Sequence, residues 1–175
     1  MEFILLDDEK KIKYTERIIE MMEESDKDFI PPLSQRSSTT QKNLSGETSS
    51  AGVRPYFEVM AKQKILGVFE NDVLLGFISF IEDYVSEQIL ENDLPNIYLS
   101  TLVLSAESRG KGITKKLYAH LFNELYPEKN IFTRTWSTNA PHIKILDYFG
   151  FDEMVRIKND RGNGIDTVYF ENRRK

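Results

Sequence analysis

The residues best suited by type and spacing to do chemistry fall in one run, Leu102-Val103-Leu104-Ser105-Ala106-Glu107-Ser108-Arg109-Gly110-Lys111-Gly112-Ile113-Thr114. An apolar, strand-like stretch passes there into a helix-like one through a turn holding two glycines and two cations. Unpaired backbone N–H groups at a helix start, backed by the positive end of the helix dipole, surround a phosphate closely when the side chains beside them are small. Gly110 and Gly112 supply that clearance, and Arg109, Lys111, Lys115 and Lys116 add positive charge. The same residues equally describe a plain tight turn before a solvated helix face, and on the residues alone both readings stand. Other phosphate patterns do not compete. No G-x-x-x-x-G-K-[ST] occurs, and Gly162-Asn163-Gly164 lacks the third glycine and the following helix of a dinucleotide fingerprint.

Composition narrows the remaining chemistry. There is no cysteine, which excludes disulfides, thiolate metal sites and a cysteine nucleophile. With His120 and His142 as the only histidines and no supporting carboxylate spacing, no metal is expected. A formal charge of −5 argues against a general nucleic-acid binder, which needs a surplus of Lys and Arg. The acidity would suit a cationic acceptor, although it is also the ordinary condition of soluble proteins. The apolar stretch in Met1 to Leu6 is too short for a signal peptide or a membrane span and runs into Asp7, Asp8 and Glu9, so a cytoplasmic protein without membrane contact is expected.

The elements that must position the turn can be read from periodicity. Phe3 to Leu6 predicts a strand and Glu9 to Glu24 one amphipathic helix with Ile12, Ile18, Ile19 and Met22 on its apolar side. Ser34 to Gly52 is polar and is expected to be a mobile loop. Arg54 to Gln63 predicts a second helix, and Ile65 to Glu70 with Val73 to Tyr84 a hairpin turning at Asn71 and Asp72. Ile97 to Leu104 is a third strand and Arg109 to Tyr126 a helix with Ile113, Leu117, Leu121 and Leu125 in line. Asn130 to Trp136 is a strand, Asn139 to Phe149 a helix stopped by Gly150, and Phe151 to Ile157 with Ile165 to Phe170 a closing strand pair. At 175 residues this is one α+β domain.

Ala106-Glu107-Ser108-Arg109-Gly110-Lys111-Gly112-Ile113, following Leu102-Val103-Leu104, resembles the signature of the GNAT superfamily of acetyl-CoA-dependent N-acetyltransferases. The family's longer formula, [Gln/Arg]-x-x-Gly-x-[Gly/Ala], fits with one wrong letter: Glu107 at its start in one register, Thr114 at its end in the other. A second piece, Asn139 to Phe151 with its Gly150-Phe151 pair, is similar to the family's later helix. The resemblance covers roughly Glu70 to Phe170. It implies a twisted mixed, mostly antiparallel sheet flanked by helices. It also implies that Arg109, Gly110, Lys111, Gly112, Ile113 and Thr114 hold the coenzyme A pyrophosphate. Asn139 would touch the pantetheine arm, besides being a natural helix N-cap. A backbone N–H near Leu102, Val103 and Leu104 would hold the acetyl oxygen.

The catalytic acid and base stay open. The family's usual carboxylate positions appear as Ser100 and Thr101, so a base is sought in Glu82, Asp83, the acids between Glu87 and Asp93, His142, or waters held by Ser100, Thr101, Thr135, Ser137 and Thr138. The family's thiolate-protonating Tyr falls at Leu146, and Tyr148, two residues on, is rotated by about 200° on a helix and should face away. Two functions fit: acetyl transfer from acetyl-CoA to a primary amine on a small molecule or peptide, or a non-catalytic acyl-CoA-binding module. The two N-terminal helices and the Ser34 to Gly52 loop are expected to form the acceptor site, in a monomer or homodimer.

Overall fold

A computed structural model describes residues 1–42, 44 and 50–174 of the chain. Its centre is a seven-stranded sheet in the order β1-β2-β3-β4-β5-β7-β6. The strands are β1 (Glu2–Leu5), β2 (Lys64–Glu70), β3 (Val73–Glu82), β4 (Asn96–Leu104), β5 (Asn130–Trp136), β6 (Asp152–Ile157) and β7 (Thr167–Asn172). All neighbours are antiparallel except β4 and β5, which run parallel. The β2–β3 hairpin turns at Asn71 and Asp72, both at positive φ (51° and 62°), a backbone shape that these two residue types tolerate.

One face of the sheet is covered by α4 (Ile113–His120) and α5 (Ala140–Tyr148), which bury Leu117, Tyr118 and Leu146 against Leu66, Ile78 and Leu99. The other carries α1 (Asp8–Lys13), α2 (Thr15–Ser25) and α3 (Arg54–Met60), which bury Ile18, Met22, Tyr56 and Met60 against Ile65, Phe77 and Val103. Both cores meet on the two sides of β4, whose odd-numbered side chains change face at the bulge at Ser100, Leu99 packing into the first core and Val103 into the second.

Three expectations are corrected. The first long helix is broken at Tyr14, where the Thr15 hydroxyl donates to the Lys11 carbonyl at 2.8 Å and Tyr14 instead packs on Phe69. Ile12 therefore leaves the apolar stripe and lies 76% exposed. The helix after the glycine turn begins only at Ile113, behind a single tight turn at Ala106–Ser108, and ends in a wide π-type turn closed by Tyr126 N–H to Leu121 C=O at 2.9 Å. In the polar loop, Ser34, Thr39 and Leu44 are buried although Ser37, Lys42 and Ala51 are exposed, and Gln63 donates to the Thr39 hydroxyl at 2.5 Å. Residues 43 and 45–49 of that loop lie outside the described residues.

Gly76 on β3 faces Leu104 across the ladder, and a Cβ there would meet the Leu104 side chain and lie 2.7 Å from the Val103 carbonyl oxygen. Gly76→Ala should therefore push β4 outward and destabilise the fold by about 1–3 kcal/mol. A chemical-denaturation midpoint indistinguishable from wild type would show that β4 yields freely there.

Candidate active-site cleft

β4 and β5 pair only from Asn96↔Asn130 to Leu99↔Thr133, and past that point the two strands part. The Thr133 hydroxyl donates to the Leu99 carbonyl at 3.1 Å and closes the apex of the split. Beyond it β4 keeps its bonds to β3, and β5 its bonds to β7. Ser105 N–H donates to Leu75 on the β3 side, and directions alternate along a strand, so the N–H groups of Leu102 and Leu104 face the split and that of Val103 faces β3. Of the three predicted positions, two present backbone donors to the split, while Val103 contributes its side chain to the opposite core.

A cleft of about 290 Å³ runs through this split from Arg109 and Thr114 to Arg36 and Arg161. At its first end stands the glycine turn. Gly110 (φ 74°) and Gly112 (φ 72°) both adopt the left-handed backbone that favours glycine, and nothing lies within 4 Å of where a Cβ would sit on either. Gly112 is the N-cap of α4 with no side-chain hydrogen bond to the helix start, so the first N–H groups of α4 are left for a ligand. Arg109 is held by Asp28 (2.8 Å) and the Ser25 hydroxyl (2.8 Å) at the end of α2. Lys111, Lys115 and Lys116 are exposed around the turn. A pyrophosphate fits these residues by space, by donors and by charge.

The wall on the α4–α5 side is neutral. Asn139 caps α5 by accepting from His142 N–H at 3.4 Å and donates to the Thr135 hydroxyl at 2.9 Å, while still lining the cleft. His142 Nε2 is bonded to the Tyr118 hydroxyl at 2.7 Å. Burial pushes the His142 imidazole down to about 4 and the Tyr118 phenol up, so both are uncharged at neutral pH. Leu146 faces inward and is fully buried, whereas Tyr148 is 66% exposed beneath the Lys115 ammonium, as the helical rotation predicts.

On the opposite side of the split the Tyr56 and Thr101 hydroxyls are 2.8 Å apart. Ser100, passed over in the β3–β4 register between Ser79↔Thr101 and Phe80↔Leu99, donates to Gln63 at 2.5 Å. The acids considered as bases are elsewhere. Glu82 is bound by Lys64 and Lys129, Glu87 by Lys42, and Asp93 by Arg173, and none of them lines the cleft. Ser137 is likewise turned away and accepts from Asp166 N–H. Asp28 is the single carboxylate among the described residues that line the cleft, and it belongs to Arg109.

Sequence reasoning missed Tyr118 and the arginines Arg36, Arg134 and Arg161, all of which line the cleft. Each arginine sits in a different segment with no local motif around it, and Tyr118 lies in a helix read for its leucines.

No helix among the described residues is long and apolar enough to cross a membrane, and no group of them is arranged to hold a metal ion. The fold is shared with solved acetyltransferases at low identity. Ribosomal-protein-alanine N-acetyltransferase from Brucella melitensis is similar at TM-score 0.68 and 14% identity, covering 99% of this chain and 100% of that one. yncA from Salmonella typhimurium, solved with its cofactor acetyl-CoA, is similar at 0.66 and 17%, covering 99% and 93%. An N-acetyltransferase from Staphylococcus aureus Mu50 is similar at 0.62 and 16%, covering 99% of each chain. No curated protein matches in sequence. The family model for the acetyltransferase (GNAT) family matches residues 19–151, which takes in the split strands, the glycine turn and α5, and the chain belongs to that family.

Proposed function

We propose that the chain transfers the acetyl group of acetyl-CoA to a primary amine by direct attack of the amine on the thioester. The observation that carries this reading is the single cleft that joins an uncapped, glycine-lined helix start to a hydroxyl- and arginine-lined pocket through the split between β4 and β5. Acetyl-CoA supplies an acyl group already activated as a thioester. The Arg109 to Thr114 turn holds its pyrophosphate, and the free edges of β4 and β5 with Asn139 hold the arm. The N–H of Leu102 or Leu104 donates to the acetyl oxygen as charge builds there.

The amine nitrogen forms a bond to the acetyl carbon, the carbon–sulfur bond breaks, and the nitrogen gives up a proton. With no free carboxylate among the described residues that line the cleft, that proton would pass to water beside the Ser100 and Thr101 hydroxyls. At the sulfur, the group in place of the missing α5 tyrosine is Tyr118. When the proton of His142 sits on Nε2, the imidazole donates to the Tyr118 oxygen and leaves the phenolic proton free to face the cleft. The acyl-CoA-binding alternative lacks a reason for this second set of groups.

Gly112→Val and Gly110→Val place a side chain in the space kept for the pyrophosphate and should weaken CoA binding by about tenfold or more, or ~1.4 kcal/mol. Calorimetry on folded variants checks this, and unchanged affinity overturns the assignment of the turn. Tyr148→Phe should leave kcat within about twofold, because its ring projects into solvent, whereas Tyr118→Phe should lower kcat on the order of 10²-fold, the modest end of lost acid–base assistance. The reverse ranking, with CoA affinity intact in both, would mean that the sulfur leaves beside α5's outer face.

A further inference from the structure

The half of the cleft on the α2 side carries more positive charge than the described residues that line it neutralise. Arg134 extends from β5, Arg161 from the turn between β6 and β7, and Arg36 from the loop after Leu33–Gln35, and their fields reach one another. Among the described residues, their hydrogen bonds go to uncharged oxygens. Arg134 donates to the Tyr169 hydroxyl at 3.3 Å. Arg161 donates to the Thr167 hydroxyl at 2.9 Å and the Ile30 carbonyl at 2.6 Å. Arg36 Nε donates to the Pro31 carbonyl at 2.9 Å and the Tyr56 hydroxyl lies beside its guanidinium, while its Nη2 is buried with no hydrogen bond among the described residues. Of the acids nearby, Asp28 is paired with Arg109, and Asp160, which accepts from the Thr167 hydroxyl at 2.5 Å, offsets part of the charge of Arg161.

Such a cluster is costly on its own. Burial and the neighbouring Arg134 disfavour the charge on Arg36, and burial with both other guanidiniums pulls Arg161 down to about 9. The environment of Arg134 is shared with Tyr98 and Tyr169, which offset its burial. A guanidinium nevertheless keeps its proton in a protein, so all three stay cationic. A buried, unpaired guanidinium N–H is stabilised when an oxyanion accepts from it, and the fork of Arg matches a carboxylate in two parallel bonds. The same charge repels a polyamine, which would have to bring further cations into the pocket. The indole of Trp136, with Phe29 on one side and Arg161 over its ring, forms an apolar wall beside the arginines.

We infer that the acceptor is a small amine bearing a carboxylate or equivalent oxyanion, which Arg36 and Arg134 hold with Arg161 behind them, so that the amine is presented to the split between β4 and β5. This deepens the proposed acetyl transfer and rests on it.

Trp136 is the chain's only tryptophan and lines this pocket, so its fluorescence reports occupancy there independently of turnover. Free and CoA-saturated protein would be titrated with free amino acids, the corresponding amino acid amides, aminoalkylphosphonates of equal length, and spermidine. Acetyl transfer to the same compounds would be followed by thiol release. At least one free acid should bind ten times more tightly than its amide. Arg36→Met and Arg134→Met should each abolish that preference with CoA affinity and melting temperature retained. The ratio of carboxylate to phosphonate binding identifies which oxyanion the pocket takes. Amides or spermidine binding as well as the acids, or no compound binding, overturns the inference, as does a loss of CoA affinity equal to the loss of acid binding in the two variants. If a variant fails to fold, the acid-to-amide ratio on wild type decides alone. A clear acid preference without acetyl transfer to any bound amine sinks the transferase reading and leaves the anion pocket standing. Transfer to amides and spermidine at the rate of the acids does the opposite.

Discussion

The structure depends on the point at which β4 and β5 stop pairing. Four register pairs hold them, the Thr133 hydroxyl closes the last of these on Leu99, and then each strand is kept in the sheet by its outer neighbour alone. Every backbone group left without a strand partner inside the split is a donor or acceptor that must find another. That need makes the split a place for an amide-bearing arm. It also fixes why the two cores are separate: β4 packs Val103 against one set of helices and Leu99 against the other, so the strand is anchored on both faces although one edge is free.

The second constraint is electrostatic. The chain is acidic overall, and bulk charge by itself suits a cationic acceptor. The local charge of the cleft differs from that bulk value, because net charge sums over a surface while a ligand meets only a few groups. The cleft has cations at both ends and an uncharged middle where Tyr118 and His142 stand.

Much of this was legible in the sequence wherever the signal is local. The glycine turn, the N-cap at Asn139 and the stop at Gly150 each lie within a few consecutive residues whose backbone needs are specific. The inward Leu146 and outward Tyr148 follow from helical rotation alone. What escaped needed three dimensions. Tyr118 and His142 are joined across two helices, and Arg36, Arg134 and Arg161 converge from three segments with no shared pattern. The break at Tyr14 escaped because Ile12 has helical spacing but a ring contact between Tyr14 and Phe69 wins locally. Glu82 looked like a free acid because nothing in the sequence places Lys64 and Lys129 beside it.

The strand order also poses an assembly problem. β6 has β7 as its sole partner, and β5 has β7 along the edge that faces away from β4, so the later strand is inserted between two earlier ones. Until Thr167–Asn172 arrive, both flanks remain open edges that invite pairing with another molecule. β7 is thus a keystone whose late entry ties the fate of half the sheet to one six-residue segment, and any partly assembled chain that lacks it is sticky on two sides at once.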